Sequence, residues 1–326
     1  MFIMKQIVFF FAIAITFLIQ TTHAQDPGYV LVIHGGAGNI TPERITPEKQ
    51  GLYEQKLKEA LAAGEKILAS GGTAMDAVIA AVQLLEECPL FNAGKGAVFS
   101  ADGKNELDAS VMDGKTLKAG AVAGVMTIKS PVAAARRVMD SSAHVMMAGR
   151  GAEEFARVQG LEIVDPAYFY TEESWKEYLK VKAKIENEGR KGTVGAVALD
   201  EQGNLAAATS TGGMSYKKYG RIGDSPVIGA GTYANNESCA VSCTGHGEFF
   251  IRNSVAFDVS ARMLYLGETV EQASGFIINE KLRSQGATGG LIALDKDGNI
   301  AMPFNTSGMF RGYVKKGEKP QVYVFR

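Results

Sequence analysis

Arg190-Lys191-Gly192-Thr193-Val194-Gly195-Ala196-Val197-Ala198-Leu199-Asp200 decides how this chain is read, because a charged approach gives way at one Gly-Thr step to an apolar run of strand length. A second apolar run covers residues 205–211, and Asp200-Glu201-Gln202-Gly203-Asn204 between the two carries turn residues. Residues 193–199 and 205–211 are therefore expected to form a hairpin. The pattern returns at residues 290–295 and 299–302 across Lys296-Asp297-Gly298. Upstream, residues 29–33 have strand length, and His34-Gly35-Gly36-Ala37-Gly38 is expected to stop that strand with a flexible turn. Helices are expected over residues 47–70 and 73–87, the second opened by Thr73-Ala74-Met75-Asp76 in capping-box spacing, with Ala77, Ala80, Ala81 and Leu84 on one small-residue face. Residues 97–100, 107–112 and 119–128 read as strands, and helices resume near Pro131 and around residues 253–266. Residues 165–191, rich in Glu and Lys and holding the only Trp, read as an exposed, mobile linker. This order predicts an α+β unit, a four-layer αββα sandwich of two antiparallel sheets between helical layers.

Composition narrows the function. The 326 residues are 46% hydrophobic and 21% charged, as expected of a globular chain with a substantial core. Basic and acidic residues number 34 and 35, so no basic footprint for nucleic acid or anionic membrane stands out and the expected partner is a small molecule. Residues 1–24 read as an export signal: Lys5 precedes an apolar run at 7–19, and Thr22-His23-Ala24 supplies a small-residue cut site. The expectation is an exported protein, periplasmic or secreted, that is free of the membrane after signal removal. Cys88, Cys239 and Cys243 are too few and too odd in number for a disulfide framework. On one strand, Cys239 and Cys243 would lie ~13 Å apart, beyond bridging distance. Buried free thiols are expected.

A threonine hydroxyl is a weak nucleophile that its own α-amine can activate once the residue becomes N-terminal. Such an amine has a pKa of ~7.7 to 8.0, suited to accepting the hydroxyl proton near neutrality. At Gly192-Thr193 a linker meets a buried strand, and glycine tolerates the backbone that attack on the preceding carbonyl demands. Scission there would create the catalyst. Taken alone, Gly-Thr reads far more readily as the plain start of a strand.

Further stretches settle the choice: HGGAG at 34–38, GGTAMDAV at 71–78, LEECPLFNAGKGAVF at 85–99 and NELDASVMDG at 105–114. They continue with GTVGAVALD at 192–200, ATSTGG at 208–213, GRIGDSPVIGAG at 220–231, SCTGHGE at 242–248 and NTSGMFRG at 305–312. In order and spacing, over nearly all of residues 29–312, the chain resembles the isoaspartyl peptidase / type III (plant-type) L-asparaginase family of N-terminal-nucleophile hydrolases. The resemblance implies a cut between Gly192 and Thr193 that leaves residues 25–192 and 193–326 as associated α and β subunits of one domain, two such αβ units pairing as a dimer. It implies that Thr193 is nucleophile and base together and that Thr211 orients it. Arg221 would hold the substrate α-carboxylate and Asp224 its α-ammonium group. Thr244 and Gly245 would form the oxyanion site, with Asn92 as an added donor. The backbone carbonyls of Leu85, Glu86, Cys88, Phe91, Ala93 and Lys95 would bind a structural sodium ion, and catalysis itself would need no cofactor. His246 takes no catalytic role.

The implied reaction is hydrolysis of L-isoaspartyl (β-aspartyl) dipeptides, and of L-asparagine, through a β-aspartyl acyl-enzyme on Thr193. Glycosylasparaginase is the near alternative, since it would share nucleophile, clamp and scission. A non-catalytic exported amino-acid-binding protein is the distant one. Gly229-Ala230-Gly231-Thr232-Tyr233-Ala234 fits a dinucleotide fingerprint on paper but opens no amphipathic helix. No HExxH, paired CxxC or G-x-S-x-G occurs.

Overall fold

Threonine caps start the two long helices. In the computed structural model, which describes residues 28–183 and 192–326, Thr46 accepts from Lys49 N at 3.3 Å and Pro47 opens α1 (Pro47–Ala69). Thr73 accepts from Asp76 N at 3.1 Å and opens α2 (Ala74–Glu86). Only half of the expected capping box forms, because Thr73 Oγ1 also donates to the Asp76 carboxylate at 2.7 Å. The Asp200 carboxylate, from the hairpin turn, accepts from Ala74 N at 3.0 Å and ties that turn to the α2 N-terminus.

The strands are β1 (Val30–Gly38), β2 (Leu107–Asp113), β3 (Ala119–Val125), β4 (Met146–Ala148), β5 (Val194–Leu199), β6 (Leu205–Thr211), β7 (Thr232–Ala234), β8 (Cys239–Gly245), β9 (Gly289–Asp295), β10 (Ile300–Ala301), β11 (Gly308–Lys315) and β12 (Gln321–Tyr323). The remaining helices are α3 (Pro131–Ser141), α4 (Gly149–Val158), α5 (Glu172–Lys182), α6 (Gly247–Asn253), α7 (Val255–Leu266), α8 (Val270–Phe276) and α9 (Leu282–Ser284). One sheet runs β12-β11-β1-β5-β6-β2-β3-β4, and the other runs β10-β9-β8-β7. Helices α1, α2 and α3 cover the outer face of the first sheet through a core that includes Leu31, Leu57, Leu61, Leu85 and Val138. Helices α7 and α8 cover the second through Val241, Val259, Val270 and Leu291. Between the sheets lie Val32, Val197, Ala207, Ala240 and Ile292. The αββα sandwich is thus formed. Fully buried leucines such as Leu57 each contribute about 2 kcal/mol of burial, and truncation to alanine costs about 2 to 5 kcal/mol.

Both predicted hairpins form, β5 with β6 and β9 with β10. Cys239 and Cys243 share β8, and all three cysteines are free and buried. Several expectations need correction. HGGAG does not end the first strand: β1 runs through Gly38, with its register to β11 slipping between His34 and Gly36. Residues 97–100 form no strand, since the Asn105 side chain takes the Ala97 and Val98 carbonyls that a ladder would use. The buried face of α2 includes Val78, Val82 and Leu85, while Leu84 is exposed, because α2 packs against α1 as well as against β5 and β6. One pairing, β3 with β4, is parallel.

Residues 165–182 are ordered rather than a linker. A short turn at Pro166–Phe169 leads into α5, whose Trp175 and Tyr178 stack at 4.8 Å and pack against Phe99. Its Ser174 donates to Gly96 O at 3.3 Å. Residues 184–191 of the expected linker, and the expected signal at 1–24, lie outside the described residues.

Candidate active site

The β1 bulge delivers HGGAG to the Gly192-Thr193 peptide. Gly36, at φ +108°, sits so close that a Cβ there would lie 3.2 Å from Gly192 Cα and 3.3 Å from Thr193 N. Gly192 itself has φ +159°, a backbone setting that side chains disfavour. Strand β5 begins one residue later, between β1 and β6, so Thr193 hangs at the end of an internal strand and is 6% exposed.

Thr193 Oγ1 donates to Thr211 Oγ1 at 3.2 Å, and Thr211 Oγ1 donates to the Gly192 carbonyl oxygen at 2.9 Å. Gly213 N, which donates to Thr211 Oγ1 at 2.9 Å, fixes that hydroxyl from behind. Asn92 is buried. Its Nδ2 donates to the same Gly192 oxygen at 2.8 Å and to Gly213 O at 2.7 Å, while its Oδ1 accepts from Val98 N at 3.0 Å. In the unbroken chain, then, Thr211 and Asn92 both donate to the carbonyl oxygen of Gly192, the residue before Thr193.

Thr193, Thr211, Arg221, Asp224 and Gly245 line a single cavity. Arg221 and Asp224, expected to act together as a clamp, do not pair with each other alone. Arg221 gives Nε and Nη2 to the two Glu248 carboxylate oxygens at 2.9 and 3.0 Å, a bidentate bond that holds Glu248 below the usual carboxylate range. Asp224 is buried with Oδ2 unpartnered, and burial raises its pKa to about 7 against the pull of Arg221. A Cβ on Gly247 would meet Arg221 Nη2 at 2.7 Å and Asp224 Oδ1 at 2.9 Å, so glycine there keeps both charged groups open to the cavity. Thr244 is fully buried and only Gly245 of that pair lines the cavity, although Ala37 N meets Thr244 Oγ1 at 3.4 Å and leaves its proton to be given elsewhere. Glu248 and Gly247 lie inside a motif already quoted, yet no spacing rule marked them. His246 borders the cavity and pairs with Glu248 at 3.6 Å.

The expected ion site is the loop after α2. A Cβ at Gly94 would lie 2.3 Å from Glu86 O, and one at Gly96 would lie 2.0 Å from Phe91 O and 2.7 Å from Pro89 O. Carbonyl oxygens crowd the bare backbone here, the hard donor set that sodium takes. Among the described residues, no group of three or more His, Cys, Asp or Glu side chains is placed to hold a metal. Of the six carbonyls expected to hold such an ion, those of Glu86 and Phe91 crowd Gly94 and Gly96, while those of Leu85, Cys88 and Ala93 accept from Cys88 N, Phe91 N and Gly96 N within the loop. The buried Glu86 carboxylate does not face it: Oε1 accepts from Ser210 Oγ at 2.6 Å and Val132 N at 2.9 Å, and Oε2 from Ser130 Oγ at 2.6 Å.

The family model described as Asparaginase matches residues 27–324. The chain is 51% identical to the isoaspartyl peptidase of Escherichia coli (strain K12) over 308 residues, covering 91% of this chain and 96% of that protein. It is 42% identical to the isoaspartyl peptidase/L-asparaginase of Rattus norvegicus over 300 residues (90% and 88%), and 41% identical to the plant-type L-asparaginase of Pyrococcus horikoshii over 310 residues (90% and 99%). With two sheets between helical layers and a matching family model over nearly its whole described length, the chain belongs to the asparaginase family of N-terminal-nucleophile fold.

Proposed function

We propose that this protein is a hydrolase of L-isoaspartyl dipeptides and of L-asparagine, activated by scission of its own Gly192–Thr193 bond. The observation that carries the proposal is the convergence of Thr193, Thr211, Arg221 and Asp224 on one cavity directly under the Gly192 carbonyl. In the unbroken chain, Thr193 Oγ1 attacks the Gly192 carbonyl carbon while Asn92 and Thr211 carry the charge that develops on its oxygen. Collapse of that adduct breaks the Gly192–Thr193 C–N bond, which frees the Thr193 amine as the ester forms, and water then hydrolyses the ester to release the Thr193 hydroxyl and a Gly192 carboxylate. In turnover, that amine takes the hydroxyl proton, Thr193 Oγ1 attacks the side-chain carbonyl of the substrate, and Thr244 Oγ1 with the Gly245 N–H receives the oxyanion. Amine or ammonia departs, and water cleaves the β-aspartyl ester.

Arg221 and Asp224 accept the free α-groups of the substrate, which sets the reach to a β-amide. A glycosylated asparagine presents the same α-groups, so relative rates on β-aspartyl-leucine and glycosylasparagine separate the two activities. A binder that never cuts would persist as one full-length chain holding aspartate.

The proposal extends to a sodium ion on the loop after α2, to a pair of αβ units in the working particle, and to export directed by residues 1–24. No helix among the described residues is long and apolar enough to cross a membrane. Intact-mass measurement tests both cuts at once, with chains ending at Gly192 and starting at Thr193 expected. A single mass spanning that bond in active protein is incompatible with the proposal.

A further inference from the structure

Beneath the threonines of the cavity, the two sheets meet through a row of polar side chains that the chemistry above leaves unused. On β6, Thr209 shares a face with Thr211, and on β8, Ser242 shares one with Thr244, since residues two apart on a strand point the same way. Across the first sheet His34 stands opposite Gly195, Gly195 opposite Thr209, and Thr209 opposite Ser110. In the second, Thr232 stands opposite Ser242.

The two rows interlock. His34 Nε2 lies 2.8 Å from Ser242 Oγ, which lies 2.7 Å from Thr209 Oγ1. Thr232 Oγ1 donates to Thr209 Oγ1 at 2.6 Å, and Ser110 Oγ donates to Thr232 Oγ1 at 2.7 Å. The row ends on the backbone carbonyl of Ser225, the residue after Asp224, to which Ser110 Oγ donates at 2.6 Å, its one proton shared between that carbonyl and Thr232 Oγ1; Thr232 Oγ1 lies 3.3 Å from the same carbonyl. All five side chains are fully buried. Gly195 is what makes room, because a Cβ there would lie 1.9 Å from Ser242 Oγ and 2.5 Å from His34 Nε2.

Polar groups inside an apolar gap cost free energy unless every one is paired, and a paired set admits one relative placement of its two walls. At the His34 end the ring is neutral, with burial pulling its pKa down to about 3. The Thr193 backbone lies beside that ring and opposes the shift slightly, although Nδ1 has no partner in hydrogen-bond geometry.

We propose that Ser110, Thr209, Thr232 and Ser242 are positioning residues that hold the Asp224 loop at a fixed distance from the Thr193 strand. The row is thereby a specificity element for substrates that present an α-ammonium group, which rests on the clamp proposed above. With Ser110 and Thr232 donating along the row, Thr209 gives its proton to Ser242 at 2.7 Å. Ser242 then gives its own to His34 Nε2, and Nδ1 is the protonated ring nitrogen.

Thr232→Val removes one hydroxyl with little change of outline, and Thr232→Ser keeps it. The valine variant is expected to cut its own chain and to raise KM for a β-aspartyl dipeptide about tenfold with kcat within about twofold, the loss of roughly one hydrogen bond from ground-state binding. The serine variant is expected to restore KM. An unchanged KM in the valine variant, or equal KM in both, overturns the proposal, and Ser110→Ala is read in the same way if the valine variant does not fold. Nitrogen-15 spectra of the His34 ring judge the row without turnover: a protonated Nδ1 and an Nε2 resonance that moves in Ser242→Ala are expected. An Nε2-protonated ring unaltered by Ser242→Ala overturns the row. A wild-type protein that hydrolyses no β-aspartyl compound defeats the activity instead, and the ring spectrum still decides the row.

Discussion

The Thr211 hydroxyl donates to the Gly192 carbonyl oxygen at 2.9 Å, and Asn92 Nδ2 reaches the same oxygen at 2.8 Å. Two donors on one carbonyl, with Thr193 Oγ1 beside them, form the arrangement that lowers the barrier to attack on that carbon. Thr211→Val and Asn92→Ala are each expected to slow scission by about 10² to 10³, and Thr193→Ala to stop it. Time courses on denaturing gels give the rates. Two chains from Thr193→Ala would sink the mechanism.

Arg221 makes two parallel bonds to Glu248, and a lysine cannot reproduce that fork. Arg221→Lys is expected to lower kcat/KM by about 10² while leaving the melting temperature nearly unchanged, because the group is partly exposed and structural ion pairs of that kind contribute little. Steady-state kinetics and a thermal melt on the same sample check both halves.

Burial sets a pH dependence at Asp224. Its pKa is raised from 3.8 to about 7, so the folded chain holds this proton where the unfolded chain has lost it. The group therefore favours the folded state at low pH, and that contribution is lost as pH rises from about 4 through about 7. A substrate ammonium needs the carboxylate form, so KM is expected to fall as pH rises toward 7, and Asp224→Asn is expected to flatten that fall at a raised KM. Calorimetry of L-aspartate binding in two buffers should show close to one proton released at pH 6, and none in Asp224→Asn.

Gly96 abuts carbonyl oxygens, with a Cβ position 2.0 Å from Phe91 O. Gly96→Ala is expected to cost about 1 to 3 kcal/mol through forced displacement of that loop. Sodium chloride is expected to raise the melting temperature of the parent over choline chloride, and Gly96→Ala to erase that rise. Equal sodium effects in both proteins would remove the ion from this loop.

The layers and most strands were legible because period and turn chemistry agree there: Gly203 and Gly298 mark the two hairpins, and Thr73 caps a helix on whose inner face apolar residues recur. Helix α5 was not, since its buried contacts are Trp175 and Tyr178 against Phe99, a long-range aromatic cluster inside a charge-rich stretch. HGGAG looked like a stop because glycine usually is one, whereas here the first sheet needs a bulge that brings Gly36 against Thr193. Thr193, Arg221 and Asp224 could be named from motifs. Glu248 as the partner of Arg221 could not, because an ion pair across 27 residues leaves no periodic trace.

The first sheet interleaves the two sides of Gly192-Thr193: β11 borders β1, β1 borders β5, and β6 borders β2. Neither β1 nor β2 can complete its ladder until the segments after that step have been translated. On the proposed chemistry, scission is then a quality mark written by the finished fold, since the donors that polarise Gly192 come from both sides of the cut. Within cells, the proportion of uncut chain would count misassembled molecules. A substitution far from the cavity that loosens the sheet would show first as a persistent full-length band, before any loss of solubility.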